Sequence, residues 1–181
     1  MAAPMFEDWS EYFFMIGSSA AALIGLMFVV VTLTAGRDRA EVEQGKHLYT
    51  SPIVWHLGVI LTLSGAAIAP AVSARIFGYA AAGLALLGIA IGVRSAVGII
   101  RRPGAPDSPW FDSFWYGMAP AIGYAGLGVG SVGALRGMPW APDATAAALM
   151  ALLLVSIHAE WDLVTYLAPG SQLPPQKDAN D

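Results

Sequence analysis

The chain of 181 residues lacks cysteine, and only 12% of its residues are charged. The absence of cysteine excludes disulfide bonds, thiolate metal sites and thiol catalysis. A soluble domain usually carries roughly 25% charged residues, so this chain has too little charge for a surface that faces water everywhere. Hydrophobic residues make up 56% of the chain. This balance predicts a protein whose main solvent is a lipid bilayer.

Basic residues are also scarce, and the formal net charge is −4. A chain without a basic patch is not expected to bind nucleic acid. The two lysines, Lys46 and Lys177, lie outside the long apolar runs, which excludes a retinal-type Schiff base inside a helix bundle. Nucleophile-elbow, phosphate-loop and zinc-protease motifs are absent. Residues 1–11 hold three acidic and no basic residues, which argues against a cleavable signal peptide.

Five long apolar runs predict an all-α membrane bundle, because a bilayer core needs about 20 apolar residues per helix. Proline and glycine separate the runs, as expected for turns. Residues 1–168 are therefore predicted to form a single bundle, and residues 169–181 a disordered cytoplasmic tail. The predicted spans are Tyr12–Ala35, Thr50–Val72, Arg75–Ile100, Asp112–Leu135 and Ala144–Ala168.

The distribution of basic residues predicts the orientation of the bundle. Cytoplasmic loops of membrane proteins hold an excess of lysine and arginine. One side of the predicted bundle carries only Arg75 and Arg136. We therefore expect the N-terminus outside and the C-terminus in the cytoplasm, on the side with six basic residues: Arg37, Arg39, Lys46, Arg101, Arg102 and Lys177.

The last predicted span contains three ionisable side chains within five residues: His158, Glu160 and Asp162. One charge at a bilayer centre costs at least about 2.5–3.5 kcal/mol, so such groups persist only where they are paired, hydrated or useful. His158 and Asp162 are four residues apart and share one helix face. Glu160 points roughly the other way, so it is expected to meet a different partner, such as Arg94, the membrane interface or a neighbouring subunit.

Ionisable residues of several spans are predicted to lie in one layer near the cytoplasmic side. At 1.5 Å per residue, His56, Arg94 and Asp162 each lie roughly 9 Å from the end of their span, and His158 about 15 Å. The sequence therefore predicts a central group of His56, His158 and Asp162. Its outer members, on the proton or ion path or around it, are Tyr49, Arg94, Asp112 and Glu160.

Four interpretations of this group stay open. His158 and Asp162 can form a structural pair, with His56 as a packing residue and Arg94 at the interface. Two imidazoles and a carboxylate on facing helices also suit a divalent metal such as zinc, iron or copper. Histidine and aspartate in a hydrated cavity can instead carry protons or ions. Axial ligation of haem by His56 or His158 is the fourth interpretation.

The function expected first is a small transport-type membrane protein that binds or conducts a proton or a cation. One alternative is a membrane-embedded metal-dependent enzyme that uses His56, His158 and Asp162, with Glu160 or Asp112 as general base. The other alternative is a non-catalytic accessory subunit of a larger membrane complex.

Small residues recur at four-residue spacing in the first and fourth spans. Such stripes allow helix backbones to approach closely, either within one bundle or between copies in a homo-oligomer. The predicted helix-packing positions are Gly17, Ala21, Gly25, Gly126 and Gly130.

Three stretches together resemble a family of small bacterial integral membrane proteins. They are the apolar run 20–33, the segment 50–56 with Pro52 before His56, and the segment 157–166 with His158, Trp161 and Asp162. In this family a histidine, asparagine, alanine, tryptophan and aspartate segment occurs in the last span; here residues 159 and 160 are alanine and glutamate. The resemblance implies a bacterial inner membrane and a pairing of His56 with the last span, and it implies no activity.

Overall fold

The computed structural model describes residues 4–34, 51–100 and 113–167, and all regular structure in these ranges is helical. A short 3₁₀ helix, Pro4–Trp9, leads into the first helix, and a π-helical turn, Phe114–Met118, precedes the fourth. Five α-helices follow one another: α1 (Ser10–Thr34), α2 (Ser51–Ile68), α3 (Ala74–Ile100), α4 (Ala119–Leu135) and α5 (Ala141–Leu167).

Four helical segments are long and apolar enough to cross a membrane. By length and composition this confirms the all-α, multi-pass membrane class. The second predicted span is shorter than expected, because the chain leaves α2 after Ile68 instead of continuing to Val72. With 18 residues, α2 rises about 27 Å. The four segments are Met5–Val30, Ala74–Gly98, Phe114–Leu135 and Ala141–Thr165.

Two tight turns reverse the chain at the same end of the bundle. Before α3, the Ser73 hydroxyl accepts a hydrogen bond from the Ile76 N–H at 3.3 Å and so caps the helix. After α4, Gly137 adopts a φ of 66°. The Met138 N–H then donates to the Gly133 carbonyl at 2.9 Å, which closes a Schellman motif. As a result α3 and α5 both end at the opposite end of the bundle, where α2 and the π-helical turn begin.

Close helix contacts build the core. The described part of α1 packs on α2 and α5, while α4 lies between α3 and α5. At the α3–α4 contact, a Cβ added to Gly92 would lie 2.8 Å from the Gly117 carbonyl oxygen. Small residues here let the two backbones approach closely. The largest fully buried side chains include Phe13, Leu57 and Tyr124.

The predicted helix-packing positions divide between the inside and the outside of the bundle. A Cβ on Gly17 would lie 3.0 Å from Ser64 of α2, and one on Gly130 would lie 2.6 Å from the Thr145 hydroxyl of α5. Gly126 faces Ala148, also on α5, at an ordinary contact distance. On the outer surface of α1 lie the two other positions of the first stripe, Ala21 and Gly25.

Candidate functional site

Polar side chains gather near the end of the bundle where α3 and α5 end. His56 lies in the second turn of α2, and His158, Glu160 and Asp162 lie in the last three turns of α5. Two predicted outer members, Tyr49 and Asp112, lie outside the described residues, as do the basic loops and the tail 169–181.

The first polar contact joins α2 to α4 in the interior. The His56 Nδ1 atom lies 2.8 Å from the Tyr124 hydroxyl, and the two rings are 5.4 Å apart. His56 is 4% exposed and Tyr124 is fully buried. The hydroxyl donates when Nδ1 is unprotonated and accepts when Nδ1 carries the proton. In either case the bond satisfies two polar groups that would be costly to bury alone.

Gly88 of α3 makes room for the Tyr124 ring. A Cβ added to Gly88 would lie 2.4 Å from three carbon atoms of that ring, a distance that real side chains do not tolerate. The absence of a side chain at Gly88 therefore lets the ring lie against the α3 backbone. Three helices thus fix the position of the hydroxyl that meets His56.

The second polar contact lies at α5 and is partly exposed. The Tyr116 hydroxyl donates a hydrogen bond of 2.7 Å to Oδ2 of Asp162. The Nε2 atom of His158 lies 3.4 Å from the same oxygen, without the alignment of a hydrogen bond. The side chains of His158 and Asp162 are 33% and 39% exposed. Asp162 is therefore held in place and still accessible.

The π-helical turn brings two aromatic residues to this contact. Its wider turn is closed by the Ala119 N–H, which donates to the Phe114 carbonyl five residues earlier. Trp115 lies against the His158 ring, with a centroid distance of 4.1 Å and an interplanar angle of 36°. Such turns within helices are frequent at functional sites. Trp115 and Tyr116 together fix both members of the His158–Asp162 pair.

Glu160 faces a different surface, as its helical phase relative to His158 predicts. It borders a crevice of about 310 Å³ between α1 and α5, whose other walls are apolar. The Oε1 atom of Glu160 is buried and has no hydrogen-bond partner among the described residues. An unsatisfied carboxyl oxygen in apolar surroundings is costly.

Arg94 lies apart from both polar contacts. Gly92 and Ala96, two residues before and after it, point to the opposite face of α3 and are buried against the segment Phe114–Leu135, whereas Arg94 is exposed on the outer face of α3. The structure therefore does not bring Arg94 to His158 and Asp162.

The three side chains predicted to hold a metal, His56, His158 and Asp162, are not gathered into one site. Within residues 4–34, 51–100 and 113–167, no group of three histidine, aspartate or glutamate side chains could hold a metal ion. His56 is hydrogen-bonded to Tyr124, whereas His158 lies beside Asp162.

The sequence did not single out the aromatic partners. Trp115 and Tyr116 occur at the start of the fourth span, at the depth of the predicted layer, which is the signal that points to them. Tyr124 has a weaker signal: it lies seven residues after Gly117 and so shares that residue's helix face. Aromatic residues on a buried face are usually packing residues, so this spacing alone does not indicate a polar role.

Fold and site together define a multi-pass helical membrane protein with a tyrosine, aspartate and histidine cluster near one end of its bundle. We name this cluster of Tyr116, His158 and Asp162 the Asp162 cluster. Comparison with known protein families, curated proteins and solved structures found no match. The functional proposal therefore rests on the side chains of the chain itself.

Proposed function

We propose that this chain is a bacterial inner-membrane protein of transport type that binds or moves a proton or a cation at the Asp162 cluster. One observation carries the proposal. A carboxylate that is 39% exposed lies within a strongly apolar helix and is held by a tyrosine hydroxyl. Intramembrane carboxylates of this kind commonly mark ion or proton paths.

The arrangement supports a division of roles among the three side chains. Asp162 supplies the charge that attracts a proton or a cation. Tyr116 fixes Oδ2, so the remaining oxygen, Oδ1, is available to the transported species. His158 lies close enough to exchange a proton with the carboxylate through a small rotation or one water molecule. Trp115 covers one face of the imidazole and limits its movement.

Flux measurements in proteoliposomes test this proposal. We expect proton or alkali-cation flux above the lipid background for the wild type, and a loss of at least about tenfold for Asp162→Asn. The matched control is Asp143→Asn, because Asp143 is an exposed carboxylate at the opposite end of the same helix. Equal flux in the wild type, Asp162→Asn and empty vesicles would contradict the proposal.

We also propose five spans, with α2 as the short one, an outer N-terminus and a cytoplasmic C-terminus. The excess of basic residues on one side supports this orientation. Because the chain has no cysteine, single cysteines can be labelled without background. In right-side-out vesicles an impermeant maleimide should label Met138→Cys, at the outer turn, and not Lys177→Cys; the reverse pattern would invert the topology.

A further inference from the structure

We propose that copies of this chain associate side by side through two different faces, with Arg94 of one copy entering the Glu160 crevice of the next. The inference goes beyond the transport role and holds without it. It requires only that the helices lie in a membrane, where an unpaired charge facing lipid is costly.

The first face is the outer side of α3. The exposed side chains around Arg94 on this face are apolar. They include Leu86, Leu87, Val93 and Val97. Arg94 lies six residues before the end of α3, about 9 Å along the helix. An arginine presents an apolar stem and up to five donors in a planar fork. It can therefore enter an apolar crevice and still satisfy a carboxylate that lines it.

The second face is the crevice between α1 and α5. Its volume is about 310 Å³, and Leu23, Leu26, Met27 and Leu163 are among its apolar walls. Among the described residues that line it, Glu160 is the one with an ionisable side chain, and its Oε1 atom is buried without a hydrogen bond to any of them. The crevice therefore has room for a side chain, and it contains one hydrogen-bond acceptor that is not satisfied.

The two faces match in depth and in charge. Ala96 of α3 lies against Gly117, and Asp162 of α5 is hydrogen-bonded to the adjacent Tyr116, so these two positions lie at similar depth. Arg94 and Glu160 each lie two residues earlier in their helices, which run in the same direction, and therefore also lie at similar depth. A neighbouring copy related by rotation about the membrane normal keeps this depth, so opposite charges meet.

The two faces lie on different sides of one bundle. In the described residues, α3 packs chiefly on the segment Phe114–Leu135, whereas α1 packs on α2 and α5. Each copy therefore offers both faces at once, and the contact is heterologous, which closes into a ring when the rotation allows it. A two-fold dimer would instead pair each face with itself and would oppose like charges.

Charge reversal tests the contact in purified protein in mild detergent, with mass measured by light scattering. The wild type should be oligomeric, and Arg94→Glu or Glu160→Arg should each weaken association at least about tenfold. The doubly reversed protein should reassociate, and so should a mixture of the two singly substituted proteins. Arg75→Glu is the matched control, because Arg75 is exposed at the other end of α3.

The milder Arg94→Gln and Glu160→Gln keep the test informative where a reversed charge prevents folding, and they should also weaken association. A monomeric wild type would overturn the proposal. So would folded single variants that stay oligomeric, or a double reversal that does not restore association when its parents fold.

Crosslinking gives a second test of the same contact in membranes. Val97 and Val164 each lie three residues before the end of their helix, so they share one depth on the two faces. A short bifunctional maleimide should link the double variant Val97→Cys/Val164→Cys into species larger than a dimer. Neither single-cysteine variant should crosslink, and efficient crosslinking of either one alone would show a two-fold interface instead.

Discussion

Two tyrosines of the segment Phe114–Leu135, eight residues apart, make the two polar contacts of the candidate site. Tyr124 meets His56 where both side chains are almost completely buried. Tyr116 meets Asp162 where the carboxylate is more than one third exposed. The hydroxyl chemistry is the same, and exposure at the surface of the bundle differs.

This difference separates a structural role from a functional one. A buried hydrogen bond has no water to replace it, so the loss of one partner leaves the other unsatisfied. The His56–Tyr124 contact is therefore expected to govern stability and the position of α4. Asp162 is exposed five residues before the end of α5, where we expect water to replace the tyrosine. Loss of Tyr116 should therefore change the chemistry of the carboxylate more than the stability of the fold.

The largest effect is expected at the glycine that supports the buried contact. Gly88→Ala places a methyl group against the Tyr124 ring, and overpacking of this kind costs roughly 1–3 kcal/mol. Gly83→Ala, on the same helix with nothing within 4 Å, should instead stabilise the protein by about 0.5–1 kcal/mol through reduced backbone entropy. Denaturant titration in detergent micelles measures both; equal stabilities would show that the ring does not depend on Gly88.

Removal of the buried hydroxyl should have the next largest effect. Tyr124→Phe keeps the ring against Gly88 and leaves the His56 Nδ1 atom without a partner, which costs about 1–2 kcal/mol of the free energy of unfolding. Tyr79→Phe is the control, because Tyr79 is 70% exposed and should show no measurable change. If Tyr124→Phe is as stable as the wild type, the buried contact is packing alone.

The contrast between the two contacts also shows what the sequence predicts and what it does not. Where the structure describes the residues on both sides of a helix end, hydrophobic run lengths and turn residues predicted it within a few residues: the third span was predicted to begin at Arg75, and α3 begins at Ala74. The exception is α2, which ends before the predicted Val72. Run length alone does not distinguish a helical residue from an apolar residue in the following turn.

Contacts between side chains of different helices were harder to predict from the sequence. The pairing of His158 with Asp162 follows from a spacing of four residues within one helix, and the structure has it at 3.4 Å. The partner of His56 depends on the rotation of α4, which packs closely against Gly88 and Gly92 of α3. Contacts between different helices do not follow from the spacing of residues within one helix. The sequence therefore predicted a group of His56 with His158 and did not predict the contact of His56 with Tyr124.

The smallest effect on stability, and the most informative for function, is expected at the exposed contact. Tyr116→Phe removes the donor to Oδ2 of Asp162, and since water can take its place the free energy of unfolding should fall by only about 0.5–1 kcal/mol. Flux in proteoliposomes should fall severalfold, because the carboxylate is no longer held in one orientation. Stability and flux thus respond in opposite order in the two variants: Tyr124→Phe costs more stability, and Tyr116→Phe costs more flux per folded molecule. If Tyr116→Phe lowers stability as much as Tyr124→Phe and leaves flux unchanged, both contacts are structural and the proposed role of Asp162 fails.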